Sequence, residues 1–234
     1  METYRNIYGE NQNFHILIAF FASLNKKRRD LFAKEVSWLD ENWSTRSEMF
    51  LPFLEMLISV FNTSGKMDKL LELSNLSLPI AFRMRIAECL QKKKSYVPQA
   101  KAIYLSIREQ EGDSIQGLNR GLFYCHYELG EIDEAKAAIC REIDLNPSKE
   151  NYGSLLTLRI ETKDFDCDKY FEDAKRINDS KIYHLIGISY FYQHTQIAEA
   201  RYYLLRSLLL DDSNLGGLNA YMSLGLKIKH EEIP

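Results

Sequence analysis

The chain has 234 residues, of which 45% are hydrophobic and 27% are charged. A chain of this length and composition buries a large core, and its low Pro and Gly content excludes a disordered or low-complexity protein. The net charge of −3 gives no overall attraction to nucleic acid, so we do not expect a nucleic-acid partner. Long segments with apolar residues every three to four positions predict helices rather than strands.

The first 78 residues predict four helices of irregular length. Their apolar periodicity places them at residues 11–25, 27–41, 45–63 and 67–76. Pro52 lies inside the third segment, so we expect a kink there or a later start of the helix. The apolar run Phe14–Leu24 is too short to span a bilayer, and its positive charges follow it rather than precede it. This order predicts a buried helix and not a signal peptide.

A basic cluster follows that first helix and consists of Lys26, Lys27, Arg28 and Arg29. We interpret it as the cationic C-terminal end of the helix and a turn, because positive charge is favourable at that end of the helix dipole. A role in nuclear localisation or in phosphate contact is the alternative interpretation.

From residue 79 the pattern becomes regular. Four pairs of helices are predicted, at residues 79–94 and 98–110, 115–129 and 131–145, 149–161 and 166–177, and 181–194 and 197–210. A last helix at residues 214–229 has no second helix after it, so we expect it to cap the stack.

The segment Leu122–Pro147 shows the pairing most clearly. Gly130 marks a tight turn between two short helices. Asp133 and Glu134 begin the second helix, where carboxylates suit the exposed N–H groups and the positive end of the helix dipole. Ala135 is a small residue where two helices must approach closely. Pro147 ends the second helix because it cannot continue the hydrogen-bond ladder.

A small residue recurs at this place in successive second helices. The four residues lie 35, 32 and 33 positions apart and are Ala100, Ala135, Cys167 and Ala200. A helix–turn–helix period in the thirties is typical of stacked helical hairpins, because each hairpin buries its apolar side against the next. Over residues 79–212 the pattern resembles the tetratricopeptide repeat (TPR) family.

The resemblance implies an all-α fold, an α-solenoid in which about five to seven helical hairpins form a right-handed superhelix. Residues 1–78 would be divergent N-terminal hairpins, 79–212 the TPR-like repeats, and 213–234 a capping helix with a tail. Whether the first 78 residues continue the superhelix or form a separate bundle is left open by the sequence.

In TPR proteins the first helices of successive hairpins line a concave groove that binds an extended peptide or a partner helix. The resemblance therefore implies a non-catalytic interaction module, a scaffold, adaptor or assembly subunit. Arg and Tyr are favoured at interfaces, although ordinary core packing is the alternative for each tyrosine. The groove residues that it implies are Phe82, Arg85, Lys92, Arg120, Tyr124, Tyr127, Tyr152, Arg159 and Tyr192.

Two other functions fit a TPR-like array. One is the peptide-sensing regulatory domain of a bacterial TPR-type transcriptional regulator, although residues 1–60 show no polar recognition helix. The other is a subunit of a larger complex that docks through its aromatic N-terminal part, where exposed large rings would mark an interface. Those rings are Trp38, Trp43, Phe50, Phe53 and Phe61.

Chemical motifs are absent from the sequence. It has no Gly-rich phosphate loop, no His-Glu-x-x-His zinc pattern and no nucleophile elbow. The five histidines are dispersed, and the four cysteines lack metal-ligand spacing and are expected to be small buried apolar residues. We therefore expect no enzyme activity, no cofactor, no metal and no membrane span. We expect a cytoplasmic location, with the nucleus as the alternative in a eukaryote.

Overall fold

A computed structural model describes residues 11–42, 53–166, 168–193 and 196–231, with side chains as far as residue 225. Within these ranges the secondary structure is helical and contains no strand, as the apolar periodicity predicted. The chain falls into two compact units, Met1–Gly130 (unit 1) and Glu131–Pro234 (unit 2).

Unit 1 contains seven α-helices in its described part. They are α1 (Gln12–Ser23), α2 (Arg29–Asn42), α3 (Leu54–Ser64), α4 (Met67–Ser74), α5 (Ile80–Leu90), α6 (Val97–Glu111) and α7 (Leu118–Glu128). Short 3₁₀ turns at Lys26–Arg28 and Lys94–Tyr96 precede α2 and α6. The predicted helices are confirmed to within a few residues at most ends, and the expected break at Pro52 lies outside the described residues.

The helices of unit 1 contact both their chain neighbours and the next helix but one. α1 contacts α2 and α3, α3 contacts α4 and α5, and α5 contacts α6 and α7. The first helix of each pair therefore touches the first helix of the next pair, which is the packing of stacked helical hairpins. Because α3 and α4 both contact α5, the divergent and the regular helices share one unit.

The core of unit 1 depends on a close approach of α6 and α7. A Cβ atom at Gly121 would lie 2.4 Å from Cζ of Tyr104, so the Tyr104 ring packs directly on the backbone of α7. The ring is fully buried, and its hydroxyl donates to Oε1 of Gln91 at 3.1 Å. Only glycine fits at position 121 without displacement of this ring.

A buried polar pair joins α1 to α2. Nδ1 of His15 lies 2.5 Å from Oε2 of Glu35, and both side chains are buried. The His15 ring stacks on Trp38 with 3.5 Å between ring centroids. The pairing satisfies hydrogen-bonding groups that would be costly to bury alone.

Unit 2 contains six described α-helices. They are α8 (Ile132–Leu145), α9 (Lys149–Thr162), α10 (Lys169–Ala174), α11 (Ser180–Gln193), α12 (Ile197–Leu210) and α13 (Leu215–Glu231). α9 contacts α8, α10 and α11, while α11 contacts α12 and α13. The pattern is again one of neighbouring helical pairs.

The predicted helix at residues 166–177 was too long, because α10 covers only Lys169–Ala174. Carboxylates in the preceding turn compete for the backbone donors that would extend it. Oδ1 of Asp164 accepts from the N–H of Asp166. Oδ1 of Asp168 caps the helix by accepting from the N–H groups of Tyr170 and Phe171, each at 3.1 Å.

The repeating small residues are buried where they are described. Ala100, Ala135 and Ala200 are fully buried, while Cys167 lies outside the described residues. At Gly187 of α11 an added Cβ would lie 2.7 Å from Cγ of Leu204 in α12. The described chain is thus all-α with helices packed in neighbouring pairs, and the right-handed superhelix stays a prediction.

Candidate functional site

The nine predicted groove residues divide between the units. Six lie on or next to α5 and α7 of unit 1, and three lie on α9 and α11 of unit 2. In unit 1 they come from two helices that contact each other. We call this surface the α5–α7 face, and it comprises Phe82, Arg85, Lys92, Arg120, Tyr124 and Tyr127.

Local sequence sets the position of both helices of the α5–α7 face. α5 begins directly after Pro79, which has an extended backbone and cannot continue a helix from the preceding side. α7 begins after Gly117, whose φ of 80° places it in the left-handed region that favours glycine. Four of the six side chains are exposed and two are half-buried, the half-buried ones being Phe82 and Tyr127.

The cations of the α5–α7 face are exposed. Arg85 donates to Oε2 of Glu88 at 3.1 Å, one helical turn on, and this hydrogen bond raises the pKa of Arg85. Lys92 and Arg120 are exposed as well. Beneath them Cys89 is buried, and burial raises the pKa of its thiol, so it is neutral at physiological pH. The exposed side chains of α5 and α7 therefore carry positive charge, and the carboxylate of Glu88 lies beside one of these cations.

The aromatic rings of the face rest on a buried ring. Tyr124 is 42% exposed, and its ring lies 5.1 Å from that of Phe123. Tyr127 is half-buried and stacks on Phe123 with 6.1 Å between centroids. Phe82 on α5 is also half-buried. Rings held in this way lose little conformational freedom when a partner covers them.

Two predicted groove residues of unit 2 belong to the interior. Tyr152 is 7% exposed and Arg159 is 2% exposed. Nε of Arg159 donates to the Asp164 carbonyl oxygen at 3.2 Å, and Nη1 donates to Oδ1 of Asp168 at 3.0 Å. Arg159 also lies over the ring of Phe171. Its guanidinium therefore fixes the turn between α9 and α10 and is not presented on the surface.

Tyr192, the third of these residues, lines a separate pocket of about 550 Å³. The Tyr192 ring is 50% exposed and stacks on Phe165 with 6.4 Å between centroids. Ile160, Glu161 and Lys163 complete the lining. The carbonyl oxygen of Phe165 accepts a hydrogen bond from Nε2 of Gln193. All the described residues that line this pocket belong to unit 2.

Of the five N-terminal rings that the sequence singled out, the three that are described are buried or half-buried. Phe61 is fully buried, and Trp38 and Phe53 are half-buried. Trp43 and Phe50 lie outside the described residues. The described rings therefore contribute mainly to packing, and the assembly-subunit hypothesis stays a prediction.

Groups that could carry out chemistry are scattered or buried. Among the described residues, no three His, Cys, Asp or Glu side chains are placed to hold a metal ion. Cys125 is buried and Cys140 is half-buried. His126 is buried, and burial lowers the pKa of His184. None of the described helices combines the length and the apolar character needed to cross a membrane.

One surface was missed from the sequence, namely the outer side of α1. Leu17, Ile18 and Phe21 line an open pocket there together with Arg28 and Leu31. Apolar residues lie on every side of α1, and a helix that packs through only one apolar side leaves the other exposed. This pattern could have predicted the exposed apolar surface. The prediction of a buried helix is therefore corrected, because α1 buries only one of its apolar sides.

Comparison with known proteins gives no family assignment. No family model matches the chain, and no curated protein matches it either.

Proposed function

We propose that the protein is a non-catalytic interaction module that binds a peptide or helix of a partner protein through the α5–α7 face. The observation that carries this proposal is the joint exposure of cations and rigid aromatic rings on two contacting helices. In the proposal the hairpins stack as a TPR-like right-handed superhelix, and the face forms part of its inner wall.

The chemistry of the face suits a peptide with carboxylates and a few large side chains. Arginine offers a planar fork that can hold a carboxylate with two hydrogen bonds, whereas lysine contributes a flexible point charge. Tyr124 and Tyr127 add contact area at low entropic cost because Phe123 supports both rings. These features support the role of a scaffold or adaptor, for which we propose a cytoplasmic location.

Unit 2 has a different part in the proposed function. Tyr152 and Arg159 are buried, so we assign them to packing and to the α9–α10 turn. Tyr192 remains exposed but belongs to its own pocket. The proposed binding surface is accordingly limited to the six residues of unit 1.

Affinity capture with a surface variant tests the proposal. Arg85→Glu combined with Tyr124→Ala reverses one exposed charge and removes one exposed ring. Quantitative mass spectrometry should show a near-stoichiometric partner on the wild-type protein and at least tenfold less of it on the variant. The melting temperature should stay the same, since both side chains lie at the surface.

Arg176→Glu combined with Tyr202→Ala is the matched control. Arg176 is paired with Asp173 three positions away, as Arg85 is with Glu88, and Tyr202 is 52% exposed. The control should retain the partner. The proposal is overturned if both variants capture the partner equally, or if the wild-type protein captures no stoichiometric partner.

A further inference from the structure

The helix α1 has an inner and an outer apolar side. The inner side packs within unit 1 through His15, Ile16, Ala19 and Ala22, all of which are buried. The outer side carries Leu17, Ile18, Phe21 and Leu24 at spacings of one, three and three residues. Phe21 is 62% exposed and Leu24 is 69% exposed, so large apolar side chains face outward at helical spacing.

These outer residues form one wall of a groove. With Arg28 and Leu31 from the start of α2, they line an open pocket of about 380 Å³ that also includes Phe14, Ala22 and Asn25. This volume is within the range of sites that accept ligand side chains. We call this surface the α1 groove. It uses helices other than those of the α5–α7 face.

A patch of positive charge lies at one end of the α1 groove. Lys26, Lys27, Arg28 and Arg29 are all exposed, and Arg28 also lines the pocket. No ion pair joins any of these four cations to another described residue. Four like charges next to an apolar groove attract a partner that carries carboxylates at the corresponding end.

We propose that the α1 groove docks an acidic amphipathic helix of a partner protein. Leu, Phe or Met side chains at positions i, i+3 or i+4, and i+7 of that helix enter the groove, as in other helix-in-groove complexes. Its Asp or Glu side chains face the basic cluster. The concave shape of the pocket favours inserted side chains over a flat lipid surface.

The two parts of the surface have different effects on binding. The apolar groove governs dissociation, because buried anchor side chains hold most of the binding energy. The basic cluster governs association and its salt dependence, since exposed charges act over a Debye length of about 8 Å at physiological ionic strength. Binding should therefore weaken as the salt concentration rises, whereas the loss caused by removing an apolar side chain of the groove should be the same at every salt concentration.

Selection from a display library of randomised 18-residue helices tests this chemistry directly. The full-length protein is the bait, and the enriched peptides are sequenced. Enriched sequences should combine apolar residues at helical spacing with an excess of Asp and Glu at one end. A synthetic copy of the most enriched peptide, labelled with fluorescein, then serves as the probe for affinity measurements.

Two variants separate the parts of the surface. Phe21→Ala should weaken binding of this probe about tenfold at all salt concentrations. Lys27→Glu combined with Arg28→Glu should weaken it about tenfold at 50 mM salt and much less at 500 mM salt. Circular dichroism checks folding, which should not change because these side chains are exposed.

Matched controls come from unit 2. Leu209→Ala removes an apolar side chain that is 77% exposed, and Arg141→Glu with Lys181→Glu reverses two exposed charges. Neither should change the affinity of the probe by more than about twofold, the change expected of surface residues outside an interface. An equal loss in controls and groove variants would show non-specific attraction and would overturn the proposal.

Other occupants of the α1 groove give different results. A groove covered by the chain itself enriches no peptide. A second copy of the chain gives a concentration-dependent dimer that Phe21→Ala abolishes in analytical ultracentrifugation. A membrane site gives no enriched peptide but binding to phosphatidylserine vesicles that Lys27→Glu with Arg28→Glu abolishes. Each of these results overturns the proposal for the α1 groove. None of them bears on the proposed binding of a partner at the α5–α7 face.

Discussion

The two units share one kind of helix packing but use their charged residues differently. In unit 2 cations bind carboxylates on other helices or turns, as Lys149 does with Asp179 at 3.1 Å and Lys169 with Asp144 at 2.9 Å. Lys136 also donates to Asp164, which Arg159 approaches from the other side. These contacts tie successive turns of unit 2 together.

Unit 1 leaves more of its cations on the surface. Lys66 pairs with Asp40 at 2.5 Å, which corresponds to the Lys169–Asp144 pair of unit 2. The basic cluster Lys26–Arg29 and the exposed Lys92 have no such partner in the described part of the chain. The same kind of helix packing thus joins cations to carboxylates of neighbouring elements in unit 2 and leaves more cations exposed in unit 1.

The largest effect should come from the buried cation of unit 2. Arg159→Leu leaves Asp164 and Asp168 without their shared partner, so we expect a loss of about 3 kcal/mol in the free energy of unfolding. Arg85→Leu in unit 1 should change it by less than about 0.5 kcal/mol, because the Arg85–Glu88 pair is exposed. Urea denaturation of both variants measures this contrast, and equal losses would remove the distinction between the units.

A smaller loss is expected at a buried small residue of unit 2. Ala135 is fully buried, so Ala135→Leu should destabilise the protein by about 1–3 kcal/mol through overpacking. Ala137 is exposed on the same helix, and Ala137→Leu should have almost no effect. Thermal melting of the pair provides the measurement. An unchanged melting temperature for Ala135→Leu would place residue 135 on the surface.

Substitution of helical glycines compares the packing of the two units. Gly121→Ala in unit 1 brings a methyl group against the buried Tyr104 ring, so we expect a net loss of about 1–2 kcal/mol. At Gly153 in unit 2 the nearest atom to an added Cβ is Cδ1 of Ile182 at 3.8 Å. Gly153→Ala should therefore stabilise the protein by about 0.5–1 kcal/mol, because alanine favours helix. Guanidinium denaturation should show a lower free energy of unfolding for Gly121→Ala and a higher one for Gly153→Ala. Changes of the same sign would contradict the close contact at Gly121.

The smallest effect depends on pH. Burial raises the pKa of Asp164, but hydrogen bonds from Lys136 and the Asp166 N–H, with the charges of Lys136 and Arg159, outweigh it, so the pKa is lowered overall. A carboxyl with a lowered pKa contributes stability that is present above its unfolded value of about 3.9 and is lost as the pH falls through the folded value.

Asp164→Asn should thus reduce the free energy of unfolding by about 1 kcal/mol at pH 6, and by less at pH 2, where more of the wild-type carboxyl is protonated. Asp40→Asn is the counterpart in unit 1, where the hydrogen bond from Lys66 lowers the pKa of a more exposed carboxyl. The change in urea midpoint from wild type to variant, measured at both pH values, should be smaller for Asp40→Asn than for Asp164→Asn. A difference at Asp164 that persists in full at pH 2 would show that its charge is unimportant.

The sequence by itself determined the helices, most of their ends and the turns between them. The turn at Gly130 has a φ of 76°, and the small residues Ala100, Ala135 and Ala200 are fully buried. These features follow from local rules, because helix periodicity, glycine in the left-handed region and small residues at crossings depend on near neighbours in the chain.

Only the tertiary structure decided which polar and aromatic residues reach the surface. Arg85 and Arg159 both lie on predicted first helices, yet Arg85 is exposed, whereas Arg159 is buried and contacts two partly exposed aspartates. Likewise, only the tertiary structure shows which apolar side of α1 is buried and which is exposed. Burial depends on which distant segments cover a residue, and a single sequence does not contain that information in its local pattern.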